Sequence, residues 1–404
     1  MQYPTLSAVV LALGAMGYGA LHLLSYSQAD ASFARTACDV FYVCDDAARR
    51  EAAFESLWSA DPEEVQRSVE AFEELVAEAP TVSGRWADLG EARLRAGDSR
   101  GAAAAFANAL RFAGASPPVL LRAAFFYEEI GRRDDSIATM RRMLALTRGY
   151  DTAAFGFLNR MAYPPPLVLD SILPADPHAL RAYFVSLLPR GDVDDLAEVW
   201  RRLLATRAAT PNELAQYVKR LINLGALEEA VAAQAAFVGE DAWPEADIIF
   251  NGGFEADLLG SELDWELLEH AAISASIDQE IARSGSRSLR IKAMGGHDDQ
   301  FRHVLQAAVA QAGRYRCSAF VRSEGWTTSE GVGWRILDVA SRSTIAEGER
   351  VTGDTPWMLQ TASFELETGP RELRWQLLRS PSNPHEGEVA GRFWIDDVSC
   401  VRVP

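Results

Sequence analysis

Six of the ten tryptophans, Trp265, Trp326, Trp334, Trp357, Trp375 and Trp394, fall within residues 248–404, interleaved with arginines and with Asn, Gln, Asp and Glu. Flat rings beside hydrogen-bonding side chains are what a saccharide needs, because a sugar ring has an apolar face of CH groups and a rim of hydroxyls. Rings of the same kind also fill the interiors of β-sandwiches, and both readings stay open for Trp326, Trp334, Trp357 and Trp375. Trp394, between Phe393 and Ile395, reads as packing. Alternation sorts some of the rest. Tyr315, Cys317, Ala319 and Val321 share one face and read as core, which leaves Arg316, Ser318, Phe320 and Arg322 on the other as a polar platform carrying one ring. Arg374 and Gln376 likewise oppose Leu373, Trp375 and Leu377. The candidate saccharide contacts are therefore Phe320, Trp326, Trp334, Trp357, Arg316, Arg322, Arg374 and Gln376.

Short alternating stretches must hold these side chains. Strands are expected over 288–292, 302–308, 315–322, 332–339, 358–366, 373–379 and 393–401, separated by Gly, Ser, Asn and Pro, and so many short strands in 157 residues predict an antiparallel β-sandwich. Asn251-Gly252-Gly253-Phe254-Glu255 opens the unit, Ser284-Gly285-Ser286-Arg287-Ser288-Leu289 follows, Ala312-Gly313-Arg314-Tyr315 leads into a strand, and Phe393-Trp394-Ile395-Asp396-Asp397-Val398 closes it. This order resembles the jelly-roll carbohydrate-binding modules of the family 4/9 type. The resemblance implies a polysaccharide or oligosaccharide ligand. It also implies a structural Ca2+ tying the first strand to the last, with Glu255, Asp396 and the Gly253 carbonyl in the matching positions and Asp397 able to share the role; hard oxygen ligands suit that ion. The alternative is that Glu255 and Asp396 merely cap strand ends.

The preceding region, 51–245, is helical and repeats. Gly97 and Gly131 stand 34 apart, as do Ala102 and Ser136, Phe106 and Met140, and Ala109 and Met143; the offset returns from Gly191 to Gly225, Leu196 to Ala230, Trp200 to Gln234 and Leu203 to Phe237. The best copy runs through Trp86, Leu89, Gly90, Ala102, Phe106 and Ala109 and ends at Pro117. This pattern resembles tetratricopeptide repeats, in which paired amphipathic helices stack into a solenoid. The resemblance implies a protein partner on the repeats. Tyr163-Pro164-Pro165-Pro166, Pro174 and Pro177 interrupt the series and mark a degenerate repeat with an insertion.

Residues 6–26 form an uncharged run of 21, enough at about 1.5 Å per residue to cross a hydrocarbon core of about 30 Å. The expected organisation is a multidomain α plus β chain: an N-terminal transmembrane helix as membrane anchor or signal segment (1–29), a juxtamembrane linker (30–50), an α-solenoid of tetratricopeptide-like helix pairs (51–245) and a carbohydrate-binding-module-like β-sandwich (246–404). Ser27 and Ala29 also permit signal cleavage near Ala29 and secretion. Cys38 with Cys44, and Cys317 with Cys400, lie in paired neighbourhoods that suit an oxidising compartment; four unpaired thiols are the alternative.

The net charge of -18, with only two lysines, Lys219 and Lys292, makes nucleic acid and anionic lipid poor partners. No Gly-x-Ser-x-Gly, phosphate-cradling glycine loop or His-Glu-x-x-His appears, and His297, His303, Asp298 and Asp299 read as a polar loop. The expectation is a non-catalytic protein of the bacterial inner membrane, its bulk in the periplasm, serving surface-polysaccharide assembly or export. The alternatives are a protein-protein adaptor whose sandwich binds no sugar and, third, a glycan-processing enzyme.

Overall fold

The structure is a computed structural model that describes residues 46–404 apart from 147, 150, 240–241, 245, 269–272, 296–300, 328–329 and 380–388, with the side chains of 301–303 also left out. The apolar run at 6–26, Cys38, Cys44 and the loop bearing His297, Asp298 and Asp299 lie outside the described residues, as does the side chain of His303. Among the described residues no helix is long and apolar enough to cross a membrane. The chain packs as two compact units: one holds the described residues up to Tyr163 with Leu167–Ala175, the other Pro164–Pro166 with Asp176–Pro404.

The first unit contains α1 (Asp46–Leu57), α2 (Pro62–Glu78), α3 (Ser83–Arg95), α4 (Ser99–Phe112), α5 (Pro117–Glu129), α6 (Arg133–Leu146) and α7 (Asp151–Arg160), then a π-helical turn at Val168–Ile172. Helices α3 and α4 begin 34 residues before α5 and α6. The breaks recur too: Gly97 (φ 86°) and Gly131 (φ 77°) take the left-handed conformation that ends each pair's first helix, and the next residue's N–H closes back on Arg93 O and Tyr127 O. Within a pair the helices touch. A Cβ on Gly90 of α3 would lie 2.6 Å from the Phe106 ring of α4, so that crossing admits only hydrogen. Ala102, Phe106 and Ala109 are fully buried around it, and Phe106 stacks on Phe126 at 4.4 Å.

The second unit contains α8 (Pro177–Leu187), α9 (Val193–Ala205), α10 (Pro211–Asn223) and α11 (Leu227–Val238), whose two pairs again begin 34 residues apart. Their starts are written in caps: Asp176 and Asp192 accept from His178 and Asp195 N–H, and Thr210 and Glu213 form a capping box around Pro211. Gly225 (φ 75°) repeats the left-handed break. Trp200 lies among Phe184, Tyr217 and Phe237, packed between the helices.

The same unit carries the sandwich: β1 (Glu266–Leu267), β2 (Ile273–Asp278), β3 (Ser288–Met294), β4 (Phe301–Ala310), β5 (Gly313–Trp326), β6 (Gly333–Asp338), β7 (Ser343–Glu347), β8 (Gly353–Leu366), β9 (Arg371–Arg379) and β10 (Ala390–Val403). They form two five-stranded antiparallel sheets, β2-β3-β10-β5-β8 and β1-β4-β9-β6-β7. Leu289, Ile291, Tyr315, Ala319, Val321, Phe393 and Ile395 of the first sheet meet Val304, Trp334, Ile336, Leu373, Trp375 and Leu377 of the second. Trp375 is central, 4.9 Å edge-on from Trp265 and 6.1 Å from Trp334. Cys317 and Cys400 are direct cross-strand partners on β5 and β10 and form a disulfide.

Candidate functional site

Both outward sheet faces carry residues expected to meet a ligand. On the first sheet the alternation along β5 holds: Tyr315, Cys317, Ala319 and Val321 are buried, while Arg316 is exposed and Phe320 and Arg322 are half-buried on the outer face. The rings on this face are covered by the protein's own cations. Arg283 lies over Phe320, 3.9 Å from its centroid, and is held there by Asp397 at 2.9 Å. Trp394 pairs in register with Arg290 on one side and Arg322 on the other. The guanidinium carbons of Arg322 and Arg392 lie 5.4 and 5.5 Å from its ring, and its indole N–H donates to Asp278 at 2.8 Å. Burial pushes the Asp278 carboxyl up, yet donors from Trp394 and Glu280 and the charge of Arg290 hold it below the usual carboxylate range. Trp357 is half-buried on β8, two residues before the exposed Leu359.

The second sheet presents an open groove of about 490 Å³ lined by Arg335, Leu337, Val339, Arg342 and Arg374. Register builds it. Arg335 and Leu337 of β6 stand directly opposite Gln376 and Arg374 of β9, while the intervening Trp334, Ile336 and Trp375 point inward. Gln376 Oε1 accepts from Arg335 Nε and Nη2 at 3.1 and 2.8 Å, which fixes the plane of that guanidinium. Arg374 Nη2 is 3.5 Å from Glu372 Oε1, and its Nε is buried without a hydrogen-bond partner. Arg342 is exposed at the lip, in the turn after β6, with φ 56°. The groove thus has an aliphatic floor of Leu337 and Val339 under three guanidinium groups.

The eight candidate contacts do not form one site. Arg316, Phe320 and Arg322 lie on the first sheet's outer face, with Trp357 on its edge strand β8, while Arg374 lines the second sheet's groove and the buried Gln376 holds Arg335 there. Trp334 and Trp326 are corrections to the sequence reading: at 1% and 5% exposure they are core, Trp334 on the inward row of β6 and Trp326 turned inward by the register irregularity that follows Ser323 on β5. Sequence reasoning missed Arg335, Leu337, Val339 and Arg342. The signal was present, since Trp334 and Ile336 facing inward put Arg335 and Leu337 outward.

The residues implied to hold calcium are bound otherwise. Glu255 accepts from Ser286 N–H (2.8 Å), Arg287 N–H (2.9 Å) and the Ser286 hydroxyl (2.7 Å), and the Ser286 donors hold it below its ordinary range. Asp396 Oδ2 accepts from Arg283 N–H and Ser284 N–H at 2.8 and 3.3 Å, and Oδ1 from Asp397 N–H at 2.7 Å. Burial nonetheless raises Asp396 to about 6. Asp397 accepts from the Ser284 hydroxyl and the Arg283 guanidinium. N–H and O–H donors of the 283–287 loop thus meet all three carboxylates, and the Arg283 guanidinium stands beside Asp397. Among the described residues no group of three or more His, Cys, Asp or Glu converges as a metal site.

No protein-family model matches the chain, and no curated protein does. Among solved structures similar to part of it is the CBM22-1 xylan-binding domain from Paenibacillus barcinonensis Xyn10C, 14% identical, covering 34% of this chain and 85% of that one, with a TM-score of 0.25. A second is the C-terminal family 22 carbohydrate-binding module of Clostridium thermocellum Xyn10B, 12% identical, covering 41% and 96%, with a TM-score of 0.28. A third is arabinose-bound MgGH51 α-L-arabinofuranosidase, 12% identical, covering 40% and 27%, with a TM-score of 0.30. The two modules belong to family 22, where the strand-end motifs suggest families 4 and 9. Likeness at this level carries no site residue over to this chain.

Proposed function

We propose that the chain is a non-catalytic glycan-binding protein of the bacterial cell envelope. The sandwich groove takes a segment of polysaccharide, and the helix pairs, read as tetratricopeptide repeats, take a partner protein. Residues 6–26 tie it to the inner membrane with its bulk in the periplasm, in a system that assembles or exports surface polysaccharide. The observation that carries the glycan reading is the groove of Arg335, Leu337, Val339, Arg342 and Arg374. Leu337 and Val339 suit the CH face of a sugar, and the guanidinium groups supply donors to its oxygens at fixed positions. The Cys317–Cys400 bridge agrees with an oxidising compartment.

The test is affinity electrophoresis of the intact chain through gels containing single polysaccharides. Retardation by at least one polymer, lost in R335A/R374A with the circular dichroism spectrum unchanged, is the expected result. If no polysaccharide retards the folded chain, the sandwich is a docking domain and the adaptor reading replaces this one.

A further inference from the structure

One edge of the first unit differs from the rest of its surface. Asp88 of α3 binds Arg50 of α1 and Arg122 of α5, and each of the three is the fifth or sixth residue of its helix, so α1, α3 and α5 run side by side in step with their first residues at one edge. The return helices end there: Arg49 reaches Glu78 at the close of α2, and Arg142 of α6 donates to Gly114 O in the α4–α5 turn at 2.5 Å. The chain at this edge, 79–84 and 112–121, contains no charged residue, whereas the far-edge turns 58–64, 95–100 and 128–135 contain three, three and six. Val82, Phe112 and Leu146, at successive helix ends of the uncharged edge, are 46%, 37% and 46% exposed. At the far edge the exposed Trp58 ring lies under Arg95, in a turn with Asp61, Glu63 and Glu64.

Apolar side chains standing out from uncharged turns suit a medium less polar than water. The chain itself supplies a reason for one to lie there. The uncharged run 6–26 ends 20 residues before Asp46, and the residues between span at most about 65 Å. Asp46 opens α1 at this same edge, so a tether through 6–26 presents this edge of the unit to the bilayer, with the charged turns about 20 Å further off, one helix length away. The net charge of -18 opposes adsorption to anionic lipid, so the contact must be apolar. Arg111, whose guanidinium carbon is 5.5 Å from the Phe112 ring, can keep its charge among the phosphates while the ring enters beside it. We infer that this edge lies against a lipid bilayer, with Val82, Phe112 and Leu146 entering the headgroup region. This inference rests on the reading of residues 6–26 as a membrane tether.

The experiment places p-benzoylphenylalanine at one position at a time in the intact chain, reconstitutes it in phosphatidylcholine vesicles, and reads lipid adducts by mass spectrometry after irradiation. Positions 82, 112 and 146 should give lipid adducts, and the far-edge positions 58 and 132 should give none. In V82D/L146D the adduct at 112 should be lost while the melting temperature is unchanged, because carboxylates at the interface must stay hydrated. Equal adducts at both edges, no adducts at 82, 112 and 146, adducts there with a second copy of the chain instead of lipid, or a full yield at 112 in V82D/L146D overturns the inference. Where the chain still resists extraction by alkaline carbonate, those results leave the tether standing. If carbonate extracts the chain, the tether reading falls and the inference falls with it.

Discussion

Asp264 shows how far one buried proton can matter. It is fully buried, and its Oδ2 accepts from Leu259 N–H at 2.7 Å. Burial raises it to about 6, against the pull of backbone donors from Leu259 and Trp265. A carboxyl whose folded value lies above its unfolded one binds its proton more tightly in the native state. Its favourable contribution is complete below about pH 4 and is lost as pH rises through about 6. Asp396 acts in the same direction over the same window. Glu255, Asp278 and Asp338, all held below their ordinary values, act in the opposite sense and only at lower pH. Unfolding free energy measured with denaturant should therefore fall between pH 4.5 and 6.5 by roughly 2–3 kcal/mol for each raised aspartate, and D264N should remove about half of that slope. An unchanged slope in D264N would show that the carboxyl is solvated. Asp264 could not be picked out among 57 acidic residues from sequence, and Asp396 was named only as an implied ion ligand, because burial is set by contacts distant in the chain. Arg374 and Gln376 were legible because strand parity is local. Trp326 and Trp334 were not, because a ring suits an outer face and an interior equally well.

At the scale of elements, periodicity recovered most of the architecture. All seven expected strands are present, and β1, β2 and β7 were missed; β1 is two residues long, and β2 and β7 are the outermost strands of their sheets. The helix pairs were legible because their spacing recurs, and Gly90 shows what the spacing encodes. In an exposed helix Gly→Ala stabilises by about 1 kcal/mol through backbone entropy. Here the added methyl would strike the Phe106 ring, so G90A should instead lower stability by about 1–3 kcal/mol. G90A/F106L should recover part of that loss in thermal melts followed by helical circular dichroism. A stabilised G90A would mean that the pair does not cross this closely. The disulfide was left open in the sequence because register cannot be read from it. Cys317 and Cys400 prove to be opposite each other and close a loop of 83 residues. Replacing both with alanine should cost about 2–5 kcal/mol, read as a lower denaturation midpoint of the sandwich.

The whole molecule is organised differently from a solenoid followed by a free sandwich, since α8–α11 belong to the same compact unit as the strands. Gln234 marks why. It stands 34 residues after the aromatic Trp200, is fully buried, and donates Nε2–H to Leu263 O at 3.0 Å, in the segment leading to β1. Around it Gln311 donates to Glu228 at 2.6 Å, and Lys219 lies 3.9 Å from Glu262. An aromatic at 234 would bury surface against another helix; the glutamine instead answers a buried carbonyl that would otherwise be orphaned. The last helix pair is therefore joined to the strand-bearing segment by hydrogen bonds and an ion pair. A fragment comprising 176–404 should melt in one transition, at a higher temperature than a fragment comprising 246–404. In the longer fragment Q234A should lower stability by about 1–3 kcal/mol, the cost of an unsatisfied buried carbonyl. Equal melting temperatures for the two fragments would mean that the sandwich folds without help from its neighbouring helices, and Q234A would then leave its transition where it was.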